Sequence, residues 1–300
     1  MSPAPILSLA IAVQGAQANL PEILGALPAD PAGRVEILIC IAADDPLPAS
    51  FPARPDLHVI SGRADALIPE LWRDGFVAAR GEWVATLTAH CPPRPGWLAR
   101  ALSLIAAADA QAAAFGGAIL ADKSSDRVTR AVQLLRYADA GSVAERRAVD
   151  DLSADNAIYR RAAVLNCADL LADGFWEPNY HRRFRSAGLT LELVPGLEVL
   201  HRNRYSARAF MRQRRRHGRV FGRHRSEGRP ALARAAMLAA SPAAFPVFAL
   251  KQTRKILSRP ELRIGSRGSL GLFYLFLANW CLGEMAGYAD ALAGRSGAST

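Results

Sequence analysis

Three hundred residues, 51% of them hydrophobic, suffice for one large α/β domain plus a smaller appendage and exclude a globally disordered chain. The net charge of +10 is local: eleven arginines and one acid, Glu227, lie between Arg202 and Arg229, which accounts for the whole excess. The four cysteines, Cys40, Cys91, Cys167 and Cys281, form no C-x-x-C pair, which argues against a zinc knuckle or a disulfide framework and suits a reducing compartment.

In chain order, Pro5 to Val13 is a continuous apolar run. No basic residue precedes it before Arg34, so it reads as a first buried strand rather than a signal peptide. Leu20 to Leu27 has helical spacing. Val35 to Ala42 is a second strand, closed by Ala43-Asp44-Asp45-Pro46, and Leu57 to Ile60 is a short third. Ala66 to Ala79 places Leu67, Leu71, Trp72 and Phe76 on one helical face. Trp83 to Thr88 is a fourth strand and Trp97 to Ala108 another helix. Such alternation predicts a parallel sheet with helices on both faces.

The second half predicts a strand from Ala113 to Leu120, then a polar loop to about Asp126. Asp155-Asn156-Ala157 leads into a helix from Arg160 to Leu165. Pro178 to Ala187 is a helix with a first-turn proline and Gly188 at its end. Leu189 to Val194 and Leu197 to Leu200 read as a strand pair around Pro195-Gly196 that delivers His201. In open α/β sheets, ligands bind beyond the carboxyl ends of the strands. The polar residues there are Gln14, Asp44, Asp45 and the Thr88-Ala89-His90 triplet.

The order of these pieces resembles the family 2 glycosyltransferases. Their usual "GxxxAxGExVAFLDxD" stretch is matched here by Gly75 to His90, and their "PxPGWL" by Pro93-Arg94-Pro95-Gly96-Trp97-Leu98. The "SNxAxRR" segment is matched by Asp155-Asn156-Ala157-Ile158-Tyr159-Arg160-Arg161. The "(F/W)ED" helix start is matched by Phe175-Trp176-Glu177, and the late histidine by His201. The match covers roughly residues 5 to 225. It implies a GT-A fold: a Rossmann-like, mostly parallel sheet over residues 1–205, with residues 206–300 as a C-terminal helical extension.

The resemblance further implies inverting transfer of a sugar from a nucleotide-sugar donor to a cell-envelope or exopolysaccharide acceptor, including a polyprenyl-linked one. Glu177 stands at the position of the family's base. Asp44 and Asp45 stand near its nucleotide-contacting acidic pair; Gln14 and Arg63 are nucleotide-side candidates by position. Asn156 lies in the segment that resembles the acceptor-side motif.

Two departures stand out. The metal-binding Asp-x-Asp aligns with Thr88-Ala89-His90, and the Glu-Asp pair is Glu177-Pro178. Leaving-group charge needs Mg²⁺ or Mn²⁺, or else fixed cations. His90 and His201 are the candidate ligands for a divalent metal, with contact to phosphate as the alternative for His90. The same departures leave open a catalytically silent domain that acts as a binding or assembly partner in polysaccharide synthesis.

The arginine-rich run Phe210 to Arg223 reads as a helix, or one broken at Gly218. It suits a leaving diphosphate or anionic lipid headgroups. Nucleic acid ranks last, for want of aromatic interleaving. Leu270 to Leu282 is apolar but short of the ~20 residues of a bilayer span, and Ala231 to Leu250 contains Arg234, Pro242 and Pro246. The expectation is therefore a cytoplasmic protein held peripherally at the inner face of the plasma membrane.

Overall fold

The computed structural model describes residues 4–30, 32–48, 51–122 and 125–294. The chain forms two compact units. The first comprises Met1–Lys123 and Asp139–Arg204; the second comprises Ser124–Ala138 and Tyr205–Thr300.

In the first unit, β1 (Leu7–Val13), α1 (Leu20–Ala26), β2 (Val35–Ala42), β3 (Leu57–Gly62), α2 (Ile68–Ala78), β4 (Trp83–Thr88), α3 (Trp97–Ala106) and β5 (Ala112–Ala121) follow the predicted alternation. The chain leaves this unit for α4 (Arg127–Tyr137). It returns through β6 (Arg147–Ala148), β7 (Asn156–Arg160), α5 (Arg161–Leu165), α6 (Ala168–Leu171), α7 (Glu177–Ser186) and β8 (Thr190–His201). The eight strands form one sheet of order β3-β2-β1-β4-β7-β5-β8-β6. β1, β2 and β4 are buried at every residue, which is why each reads as an unbroken apolar run.

Two features of the sheet differ from the sequence prediction. Asn156–Arg160 is a strand, antiparallel to both neighbours, β4 and β5, so the sheet is mixed. β8 is one strand of 12 residues running parallel to β5, not a pair around Pro195-Gly196. Its register against β5 shifts between Gly116 and Ala118, where the extra residues bulge. Gly117 lies at that shift: a Cβ there would come within 1.7 Å of the Leu197 carbonyl oxygen. Asn156 closes the irregularity, donating to the Ala118 oxygen (2.9 Å) and the Leu197 oxygen (3.0 Å).

α2 packs on β1 and β2 through Leu71, Trp72 and Phe76, and the Trp72 indole donates to the Leu87 carbonyl at 2.9 Å. Phe76, Tyr159, Phe175 and Tyr180 form an aromatic cluster with ring centroids 4.5–6.1 Å apart, which fixes the start of α7 against α2 and β7. Glu36 is a buried carboxyl of this unit. Burial opposes the ionisation of Glu36, but bonds from the Ser8 hydroxyl, the Arg80 amide and the Arg80 guanidinium prevail and hold the carboxyl below the usual glutamate range.

The second unit contains α4, α8 (Ala207–Ser226), α9 (Ala231–Ala240), α10 (Ala244–Ser258), α11 (Pro260–Gly265) and α12 (Leu270–Leu292). The sequence prediction assigned no element to 127–137. That segment is a helix capped by Asp126, which accepts from the Thr129 amide, and it packs Ala131, Val132 and Leu134 against Phe210, Phe273 and Phe276. The basic helix α8 is unbroken at Gly218. Gly218 and Gly222 instead let the α12 backbone approach: Cβ atoms there would come within 2.2 Å and 2.3 Å of the Trp280 and Glu284 carbonyl oxygens.

Arg215 lies against Gly283 and Arg219 against Gly287, so the two helices run parallel. α12 also neutralises part of the basic run. Arg219 holds Asp290 with two bonds of 2.6 and 2.9 Å, and Arg225 meets Glu284 at 2.8 Å.

Candidate functional site

The carboxyl ends of β1 to β4 bring four loops together, and side chains lace them. Gln14 donates to the Ala66 carbonyl at 3.2 Å, joining the ends of β1 and β3. Asp45 accepts from the Gly15 amide at 2.9 Å and from the Gln17 side chain. Asp44 accepts from the Asp65 amide at 2.7 Å, and Asp65 takes the left-handed backbone that this tight approach needs, with φ of 61°. Arg63 spends its guanidinium on Glu70, whose other oxygen takes the Leu67 amide at the start of α2. Asp44 keeps its second carboxylate oxygen without a partner among the described residues, exposed and suited to a sugar hydroxyl.

Burial divides the residues nominated from sequence. Gln14, Asp44, Asp45, Arg63 and Glu177 retain exposure, whereas Thr88 (0%), His90 (2%), Asn156 (1%) and His201 (1%) are sealed in the fold. The Thr88 hydroxyl donates to Asp155 at 3.0 Å. Asn156 is saturated: its carbonyl oxygen takes the Trp97 indole N–H at 2.9 Å and its amide serves the two carbonyls of the bulge. These bonds give it an architectural role at the bulge. A side chain this isolated in sequence from its partners gives no local sign of that role.

His90 is held by backbone on both ring nitrogens. The Arg204 amide donates to Nδ1 at 3.2 Å, which leaves Nε2–H to donate to the Gln14 carbonyl at 3.0 Å. His201 ends β8, and the next amide, Arg202 N–H, donates to the His90 carbonyl at 2.7 Å.

His90 and His201, the pair expected to hold a metal, lie just after β4 and at the end of β8. Thr88-Ala89-His90 offers no carboxylate, both His90 nitrogens are occupied, and neither histidine joins a cluster of three potential ligands among the described residues. A hard divalent cation favours carboxylate oxygens, which this triplet does not supply.

Two further residues, missed from sequence, complete the edge. Asn19, buried before α1, donates to the Ala89 carbonyl (2.8 Å) and the Arg202 carbonyl (3.0 Å), and its own carbonyl accepts from Arg204 Nε at 2.8 Å. The end of β8 is thereby tied to β1 and β4. Arg202 lies between Glu22 (3.0 Å) and Asp122 (2.5 Å).

Glu177 is the first residue of α7, half-exposed, at a point fixed by the Phe175 amide bonding the Pro69 carbonyl at 2.7 Å. One turn on, buried His181 bonds Asp151 at 3.1 Å and the Tyr159 hydroxyl at 3.0 Å. Burial first, and then the charges of Glu177, Asp151 and Asp155, hold the Tyr159 phenol well above its usual range, so it stays neutral.

The described residues form an α/β fold with a mostly parallel sheet flanked by helices and with C-terminal helices, similar to a glycosyltransferase fold. It is similar in structure to a mannosyltransferase, PcManGT from Pyrobaculum calidifontis, solved in complex with GDP-Man and Mn²⁺. The TM-score is 0.53 at 16% identity, and the match covers 98% of this chain and 89% of that one. No protein-family model and no curated protein sequence matches the chain.

Proposed function

We propose that the chain is an inverting glycosyltransferase of family 2, with a degenerate Asp-x-Asp motif. It moves a hexosyl group from a nucleotide sugar to a cell-envelope or exopolysaccharide acceptor. The observation that carries this reading is the accessible edge of the sheet. Asp44 offers an unused carboxylate oxygen there, and Glu177 is an accessible acid at a fixed helix start.

In the reaction, the acceptor oxygen bonds to the anomeric carbon as the bond from that carbon to the phosphate oxygen breaks. The electron pair leaves with the nucleoside diphosphate, and the acceptor proton passes to the Glu177 carboxylate. Because the structural neighbour was solved with GDP-Man, GDP-mannose is the first donor to assay. Release of nucleoside diphosphate that depends on an added acceptor is expected from a panel of nucleotide sugars. Nucleotide binding with no release from any donor would establish the alternative, a silent domain that binds or assembles.

The second unit supports membrane docking at the inner face of the plasma membrane. Two helical stretches, Ala231–Ser258 and Leu270–Leu292, are long and apolar enough to cross a membrane by length and composition. They differ in burial. α12 packs Phe273, Phe276 and Leu277 inward, whereas α9 buries no residue.

Leu232 (83% exposed), Val247 (61%) and Leu257 (61%) present a surface that water disfavours. The uncharged stretch from 235 to 250, between Arg234 and Lys251, spans about 24 Å if helical, short of the roughly 30 Å hydrocarbon core. An in-plane helix with Lys251, Arg254 and Lys255 at the headgroups fits that length. The protein is expected to float with phosphatidylglycerol vesicles and to stop doing so in the double variant Val247→Glu, Leu257→Glu. Sedimentation of the unsubstituted protein away from these vesicles would refute docking.

A further inference from the structure

We propose that Arg204 supplies the positive charge facing the leaving diphosphate, in place of a metal ion held at Thr88-Ala89-His90; this rests on the glycosyl-transfer reading above. Transfer leaves a negative charge on the departing phosphate oxygen, and some group at the carboxyl edge must meet it. The triplet that aligns with the metal motif has no carboxylate. Its hydroxyl is bound to Asp155, and its imidazole is bound through both nitrogens. What the imidazole holds is the backbone of Arg204.

Arg204 is built in, and its charge is unspent. Its amide donates to His90 Nδ1 and its Nε to the buried Asn19 carbonyl, which fixes both the main chain and the plane of the guanidinium. Among the described residues no carboxylate pairs with it and its two terminal nitrogens have no partner, while the residue stays exposed. The other arginines of this edge are neutralised: Arg63 by Glu70, and Arg202 by Glu22 and Asp122.

A planar fork with fixed Nε and outward terminal N–H groups matches two phosphate oxygens, and because it is already oriented it needs no reorganisation as charge develops. The guanidinium exchanges no proton in the step. The acceptor proton goes to Glu177, and the electron pair departs with the diphosphate.

The test is calorimetric titration of the full chain with GDP and with UDP, in EDTA and in Mn²⁺, for the unsubstituted protein, Arg204→Gln and Arg204→Lys. The expected result is binding of one nucleotide that EDTA changes less than twofold. Arg204→Gln should weaken it about 10- to 100-fold, and Arg204→Lys should restore only part of the loss. Thermal unfolding of the variants should fall by no more than several degrees, the effect of removing the Arg204 Nε bond to the buried Asn19 carbonyl. Binding that is abolished by EDTA and restored by Mn²⁺ would overturn the inference, as would full affinity in Arg204→Gln. Failure of the unsubstituted protein to bind either nucleotide in both conditions would sink the glycosyl-transfer reading itself.

Discussion

Replacing Glu177 with glutamine is expected to lower donor turnover about 10²- to 10⁴-fold while leaving nucleotide affinity and unfolding temperature nearly unchanged. The isosteric amide keeps the shape of the side chain at the start of α7 but cannot accept the acceptor hydroxyl's proton. The fold around it is held by other means: the Phe175–Pro69 backbone bond and the aromatic cluster of Phe76, Tyr159, Phe175 and Tyr180 are untouched. Single-turnover measurement on the first active donor would give the kcat effect directly. Unchanged turnover in Glu177→Gln would remove Glu177 as the base. It would turn attention to the Asp151–His181–Tyr159 chain, which lies within electrostatic reach of the same point.

The largest effect on stability is expected at the bulge where Gly117, Asn156 and Leu197 meet. Asn156→Ala strands the Trp97 indole N–H and the Ala118 and Leu197 carbonyls inside the sheet. Three buried polar groups left without partners, together with a small void, cost about 3–5 kcal/mol. In a unit of this size that is a loss of about 10 °C in Tm.

Gly117→Ala is expected to be at least as severe, because the clash is with the β8 backbone rather than with a side chain that can rotate. Thermal unfolding followed by circular dichroism would check both. An Asn156→Ala variant that keeps its Tm but loses nucleotide affinity would return the amide to the ligand-contacting role expected from sequence.

The two effects differ in how far the sequence foretold them. Glu177 was singled out by its resemblance to the family's base position, and local pattern, with proline following it, was enough to place it at a helix start. Asn156 lies beside Asp155 in a stretch with the spacing of a motif. Its partners, however, come from positions 97, 118 and 197, and nothing local distinguishes a saturated amide from one facing a ligand. β7 was missed for a related reason: five residues between two irregular segments carry too little periodicity to oppose a helix reading that began at Arg160. α4 followed a polar loop and belongs to the other unit, so no continuity along the chain announced it.

The sequence by itself determined the fully buried strands β1, β2 and β4. Runs such as Val35–Ala42 and Trp83–Thr88 can bury every residue only as central strands, and the polar loops after them must then gather at one edge. Only the tertiary structure decided which side chains at that edge meet solvent. Thr88, His90, Asn156 and His201 turn inward because their hydrogen-bond partners lie inside the first unit. Arg204 is indistinguishable in sequence from ten neighbouring arginines. It acquires its place from Asn19, 185 residues earlier in the chain, and hydrogen bonding over that separation exists only once the strands between have paired.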